Sequence, residues 1–149
     1  MRGIVGKLEV TQHISFRVKS DLIYLKEVLS RFETLRQEWI SEKDWLQSQL
    51  ALAEAFTNAV RHAHKNKPPE TIIEIEINIS EEEIKIQVWD FGQPFQLESL
   101  KQRVNHQGEF ATGGRGVEIL QKIADDLRYD RISDNRNCLT IRKKLSLAN

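Results

Sequence analysis

The stretch Ile73-Glu74-Ile75-Glu76-Ile77-Asn78-Ile79-Ser80-Glu81-Glu82-Glu83-Ile84-Lys85-Ile86-Gln87-Val88-Trp89-Asp90-Phe91-Gly92 alternates apolar and polar residues on either side of an acidic turn. Alternation with period two places every second side chain on one face of a strand, so the segment reads as a β-hairpin with one buried face. Ile84, Ile86 and Val88 face that core, and Asp90 keeps their parity and points inward, whereas Trp89 points outward. An inward carboxylate needs a donor. The exocyclic amino group of a purine is one, and Gly92, lacking a side chain, lets a ligand approach the backbone closely. Taken alone, Asp90-Phe91-Gly92 more often marks the start of a turn.

Working upstream, Leu8, Val10, Ile14, Phe16 and Val18 alternate as another half-buried strand. Ser20 and Asp21 open an amphipathic helix carried by Leu22, Leu25, Val28, Leu29, Phe32, Leu35 and Trp39. A second helix is predicted from about Asp44 to His64, with Leu46, Leu50, Ala53, Phe56, Ala59, Val60 and Ala63 as its buried stripe, ended by Pro68-Pro69. Glu54 and Asn58 stand one turn apart on this helix, on the same side of an otherwise apolar neighbourhood. An Asn carbonyl suits Mg²⁺, a hard cation that takes oxygen ligands, and a neighbouring carboxylate can accept a hydroxyl proton. The pair by itself equally describes a solvated helix edge. His62 and His64 are two apart, so on a helix they diverge by about 200° and do not chelate one metal. Trp39 and Trp45 read as packing residues.

Downstream, Gln96 to Thr112 is polar and reads as a long functional loop, a lid spanning about residues 95–115. Gly113-Gly114-Arg115-Gly116 follows and opens a third helix, from Gly114 to about Leu127 through Val117, Leu120, Ile123, Ala124 and Leu127. Glycines there can wrap backbone N–H groups around an anion at the positive helix end, although many such glycines are plain loop-to-helix joints. Arg115, Lys101 and Arg103 are within reach of phosphates in such an arrangement, or are simply solvated. A final hairpin turns at Asp134-Asn135-Arg136-Asn137, and its last strand carries Leu139, Ile141 and Leu145. The sum is an α+β two-layer sandwich: a mixed, mainly antiparallel sheet with helices on one face and the other face partly open.

The 149 residues, 40% of them hydrophobic, fit a single domain, 1–149. With 22 basic and 22 acidic residues the net charge is zero, so the broad positive field used for non-specific nucleic-acid or anionic-membrane binding is missing. Neither nucleic acid nor membrane is expected as a direct partner. Without an apolar leader or a spanning run of about 20 residues, a cytoplasmic location is expected. The sole cysteine, Cys138, leaves no internal disulfide or cysteine-based zinc site and reads as a buried strand thiol.

Together the three motifs resemble the GHKL family of ATP-binding domains, with its Bergerat-type fold: an N box on a helix, an Asp-x-Gly box after a strand, a lid, then glycines opening a helix. Glu54-Ala55-Phe56-Thr57-Asn58-Ala59-Val60-Arg61-His62-Ala63 is most similar to the N box of the anti-sigma-factor serine/threonine kinases, and Asp90-Phe91-Gly92-Gln93-Pro94-Phe95 and Gly113-Gly114-Arg115-Gly116-Val117 have counterparts there. The resemblance implies ATP and Mg²⁺ as cofactors. Glu54 would be the catalytic carboxylate, Asn58 the Mg²⁺ ligand, Asp90 the adenine partner and Gly92 a lining residue of its pocket. Gly114, Arg115 and Gly116 would lie at the phosphates, and Thr140 near the adenine. Pro94 stands where a second glycine is frequent in the box, a departure that stiffens the loop. The resemblance further implies a kinase that sequesters a sigma factor or similar transcription regulator and phosphorylates an anti-anti-sigma antagonist of STAS type on Ser or Thr, and it implies a homodimer. Histidine-kinase domains resemble this one with Asn in place of Glu54 and need an added phosphoacceptor helix pair. A regulatory binding module that keeps the nucleotide pocket without phosphotransfer, and a simple ATP hydrolase, are the remaining alternatives.

Overall fold

The computed structural model describes residues 10–92 and 112–146. The lid expectation, with Pro94, Lys101 and Arg103, lies outside the described residues up to 111. Strand β1 (Val10–Lys19) is followed by a 3₁₀ turn (Leu22–Tyr24) and helix α1 (Leu25–Glu33). Helix α2 (Glu42–Asn58) continues into a π-helical turn (Ala59–Ala63). Then come β2 (Ile72–Ser80), β3 (Glu83–Asp90), α3 (Thr112–Ile123), β4 (Asp126–Ser133) and β5 (Arg136–Lys144). This is the α+β sandwich expected from the alternation. Its five strands run in the order β1-β2-β3-β5-β4, and every described pairing is antiparallel.

Parity organises the sheet. Phe16 pairs with Ile75, Ile75 with Val88, Val88 with Leu139, and Leu139 with Tyr129, so one inward row crosses all five strands and ends on a tyrosine. The row Ile14, Ile77, Ile86, Ile141 and Leu127 runs parallel to it. Ile73, Ile75, Ile77, Ile79, Ile84, Ile86 and Val88 are all buried against the helices. The opposite face carries the polar half of the alternation, where Arg17 and Arg136 pair with Glu74 and Arg136 lies over the Trp89 ring.

The helices depart from the predicted phases at three places. Helix α1 stops at Glu33, so Leu35 is buried in the following turn and Trp39 is 39% exposed. In α2 the apolar stripe is rotated from the expected one. Leu46 and Leu50 are exposed, while Trp45, Leu52 and Ala55 are buried beside the expected Phe56, Ala59 and Ala63. The indole of Trp45 decides the rotation: it stacks on Phe32 at 4.1 Å between centroids and donates to Glu33 Oε1 at 3.0 Å, burying more apolar surface than either leucine offers. Helix α3 ends at Ile123 rather than near Leu127. Asp125 N–H bonds Arg142 C=O at 2.8 Å and Asp125 Oδ2 accepts from Lys144 N–H, which starts β4 against β5 and places Leu127 on a strand.

Candidate nucleotide site

Ser41 caps α2 by accepting the Asp44 N–H at 3.1 Å, and toward its other end the helix presents Glu54 and Asn58 where α3 packs across it. Asn58 is buried and Glu54 half-buried. The contact with α3 is made at Gly116. A Cβ there would lie 2.8 Å from Glu54 Oε1 and 3.2 and 3.3 Å from the Oδ1 and Nδ2 of Asn58. Two of the three motifs therefore converge on one point, and only glycine lets the two helices approach this closely. Burial raises the Glu54 carboxyl above its usual range, and the Arg61 charge offsets this only in part. Gly114 and Arg115 fall in the first turn of α3, and the described side chains resume at Gly116.

The third motif forms the other wall. Asp90, 3% exposed, is held by donors from three elements. The Gly92 N–H and Asn137 Nδ2 donate to its Oδ1 at 2.9 and 2.8 Å, and the Tyr129 hydroxyl donates to its Oδ2 at 3.0 Å. Burial and the Asp90 charge push the Tyr129 phenol far above its ordinary pKa, so it remains a donor. Asn137 Nδ2 also bonds the Gly92 carbonyl at 2.9 Å, and Arg131 Nη1 reaches that carbonyl and Asn137 Oδ1 at 3.3 and 3.1 Å. Gly92 itself lies hard against the π-helical turn, where a Cβ would fall 1.9 Å from the Ala63 carbonyl oxygen. Behind the Asp90 corner, His64 is buried and accepts the Phe91 N–H on Nε2 at 2.8 Å.

Between these walls is a recess lined by Ala55, Asn58, Ala59, Ala63, Val88, Asp90, Leu120, Tyr129 and Leu139. Its lining is mainly apolar with a few polar groups at the edge, the usual make-up of a small-ligand site. The structure thus puts Asn58 and Asp90 in the wall of one recess, with Gly116 packed on Glu54 and Asn58 and Gly92 bonded to Asp90. It does not bring Thr140 there. Thr140 pairs with Gln87, on the opposite face of the sheet from Asp90, and its hydroxyl lies 3.6 Å from Cys138 Sγ. The strand residue directly across from Asp90 is Asn137. Asn137, Tyr129, Arg131 and His64 were all missed from the sequence. For Asn137 a usable signal existed, the antiparallel register of the last hairpin, whereas nothing local marks Tyr129 or His64. Cys138 is a buried thiol, as expected, and burial raises its pKa.

Fold and recess together describe an α+β sandwich with a mainly apolar recess between helices and sheet. The chain belongs to the histidine kinase-like ATPase domain family, whose sequence profile matches residues 18–143. It is 33% identical over 86 residues to a serine-protein kinase RsbW of Staphylococcus aureus, covering 54% of each chain. It is 34% identical over 90 residues to a serine-protein kinase RsbW of Listeria innocua, covering 55% of this chain and 57% of the relative. The chain therefore spans little more than half the length of these curated relatives. In fold it is similar to the crystal structure of the RsbU and RsbW domains of Rv1364c from Mycobacterium tuberculosis, with a TM-score of 0.66 and 14% identity, over 93% of this chain and 34% of that one. Among the described residues no helix is long and apolar enough to cross a membrane.

Proposed function

We propose that this chain is a serine/threonine protein kinase of the anti-sigma type: it binds Mg-ATP, sequesters a sigma factor or similar transcription regulator, and phosphorylates an anti-anti-sigma antagonist on Ser or Thr. The observation that carries the reading is the convergence of Glu54, Asn58 and Gly116 on one point beside the Asp90 recess. The name shared by its relatives supports the same reading.

The residues fit a magnesium nucleotide. At Gly116 a carboxylate oxygen of Glu54 and the amide oxygen of Asn58 come together, both hard donors suited to Mg²⁺. Asn58 would hold the ion through its side-chain carbonyl, and the ion would supply charge neutralisation for phosphoryl transfer. Asp90, its Oδ1 bonded to Gly92 and Asn137 and its Oδ2 to the Tyr129 hydroxyl, offers the second lone pair of Oδ2 to a purine amino group. Glu54, whose raised pKa brings it nearer to a working base, takes the proton from the attacking Ser or Thr hydroxyl. Gly114, Arg115 and the backbone opening α3 contact the phosphates. Positioning and electrostatics supply most of the acceleration in such a reaction.

The test is a calorimetric titration with MgADP and MgATP, followed by transfer of labelled γ-phosphate to a cognate antagonist with wild type and Glu54→Ala. Binding together with loss of transfer in the variant is expected. Full transfer by Glu54→Ala would overturn Glu54 as the base, and absence of transfer by the wild type would overturn the kinase assignment. Binding without any transfer by the wild type favours the regulatory module, and steady phosphate release without a protein acceptor favours the hydrolase.

A further inference from the structure

His64 is 3% exposed and lies where three elements meet. Its backbone N–H closes the π-helical turn on the Ala59 carbonyl at 2.9 Å, and Nδ1 lies 2.9 Å from Ser20 Oγ at the end of β1. Its Nε2 lies 2.8 Å from the Phe91 amide nitrogen, just past the end of β3. The amide can only donate, so Nε2 is unprotonated and the ring proton sits on Nδ1, donated to Ser20.

We infer that His64 is a positioning residue for the nucleotide site: as a neutral ring it accepts the Phe91 N–H and so holds the Asp90–Gly92 corner against the π-helical turn. The inference rests on the nucleotide reading above. Phe91 lies between the residue that meets the base and the glycine that packs on Ala63, so its amide fixes the direction of both neighbours. An imidazolium has two donors and no acceptor; a proton on Nε2 would point at the Phe91 N–H and open the corner. The charged groups facing the ring are Asp90 on β3, which favours protonation, and Lys67 beyond the turn, which opposes it, while Ser20 is neutral. Burial outweighs Asp90 and keeps the ring below its ordinary pKa. Nucleotide binding should therefore be intact at neutral pH and weaken in acid.

The experiment measures MgADP affinity by calorimetry from about pH 8 to pH 5, using the full chain as wild type, His64→Gln and His64→Phe. The Gln amide oxygen can replace the Nε2 acceptor but does not titrate, and protonation of the nucleotide's own phosphates is common to all three proteins. His64→Gln is expected to rescue binding at neutral pH, whereas His64→Phe binds about tenfold more weakly throughout. Toward acid, the wild type should lose about tenfold more affinity than His64→Gln. Parallel pH curves for wild type and His64→Gln overturn the inference. A nitrogen NMR titration of the ligand-free wild type provides a second readout that needs no variant. An Nδ1-protonated ring whose titration moves the Phe91 amide is expected, and an Nε2-protonated ring overturns the inference. If the wild type binds no nucleotide at neutral pH, the nucleotide reading fails, and the NMR titration still decides whether His64 holds Phe91.

Discussion

A methyl group added at Gly116 and one added at Gly92 meet different neighbours, and the difference separates ligand binding from folding. At Gly116 the obstacle is the end of the Glu54 side chain and the amide of Asn58, which can swing aside, and alanine is the better helix former. Gly116→Ala should therefore change stability by less than about 1 kcal/mol while weakening MgADP binding at least about tenfold, measured by chemical denaturation and calorimetry. At Gly92 the obstacle is the backbone carbonyl of Ala63 at 1.9 Å, which cannot swing. Gly92→Ala should lower unfolding stability by about 1–3 kcal/mol, the range for overpacking, and a variant as stable as wild type would refute the close approach. Asn137→Ala removes one donor from Asp90 and one from the Gly92 carbonyl. It should cost about 1–3 kcal/mol in a urea titration, the penalty for leaving a buried acceptor unpaired.

Helix α2 shows how an element's phase is chosen. Its first half offers two apolar stripes, one through Leu46 and Leu50 and one through Trp45 and Leu52, both leading into Phe56, Ala59 and Ala63, and periodicity alone does not rank them. The second is buried because α1 supplies Phe32 as a stacking partner and Glu33 as an acceptor for the indole. Leu52→Ala should then destabilise the fold by about 2–5 kcal/mol, whereas Leu46→Ala and Leu50→Ala should stay within about 1 kcal/mol of wild type. The reverse ranking in thermal or urea unfolding would return the helix to the phase read from its sequence. Glu54 and Asn58 were legible because a four-residue spacing puts two side chains on one side of any helix, whichever stripe is buried. The end of α3 was not, since only the Asp125 bonds to β5 reveal where helix gives way to strand.

For the molecule as a whole, one buried and one half-buried group give stability a defined pH dependence. His64 titrates lower in the folded state than its ordinary value of about 6.5, so below that pH the unfolded chain takes up the proton first and stability falls as pH falls toward the folded-state value. Glu54 works oppositely. Its folded pKa is raised above about 4.5, so in the window just above that value the folded state holds the extra proton and acidification favours folding. Unfolding free energy measured by urea titration should therefore decline from neutral pH into the mildly acidic range. His64→Gln should flatten that decline and Glu54→Gln should not.

The amino-acid sequence by itself determined the strands, their inward faces, the inward carboxylate of Asp90 and the shared helix side of Glu54 and Asn58. These follow from periods of two and of about 3.6 residues, which are properties of local backbone geometry. Tertiary structure alone decided the rotation of α2, the convergence of Gly116 with Glu54 and Asn58, and the ring of donors around Asp90. It placed Asn137 across from Asp90 and turned Thr140 to the far face, because register is set between strands distant in sequence and a single-residue shift reverses every side chain. It also brought Tyr129 and His64 to the Asp90 corner, across 39 and 27 residues of chain, where only packing makes them neighbours.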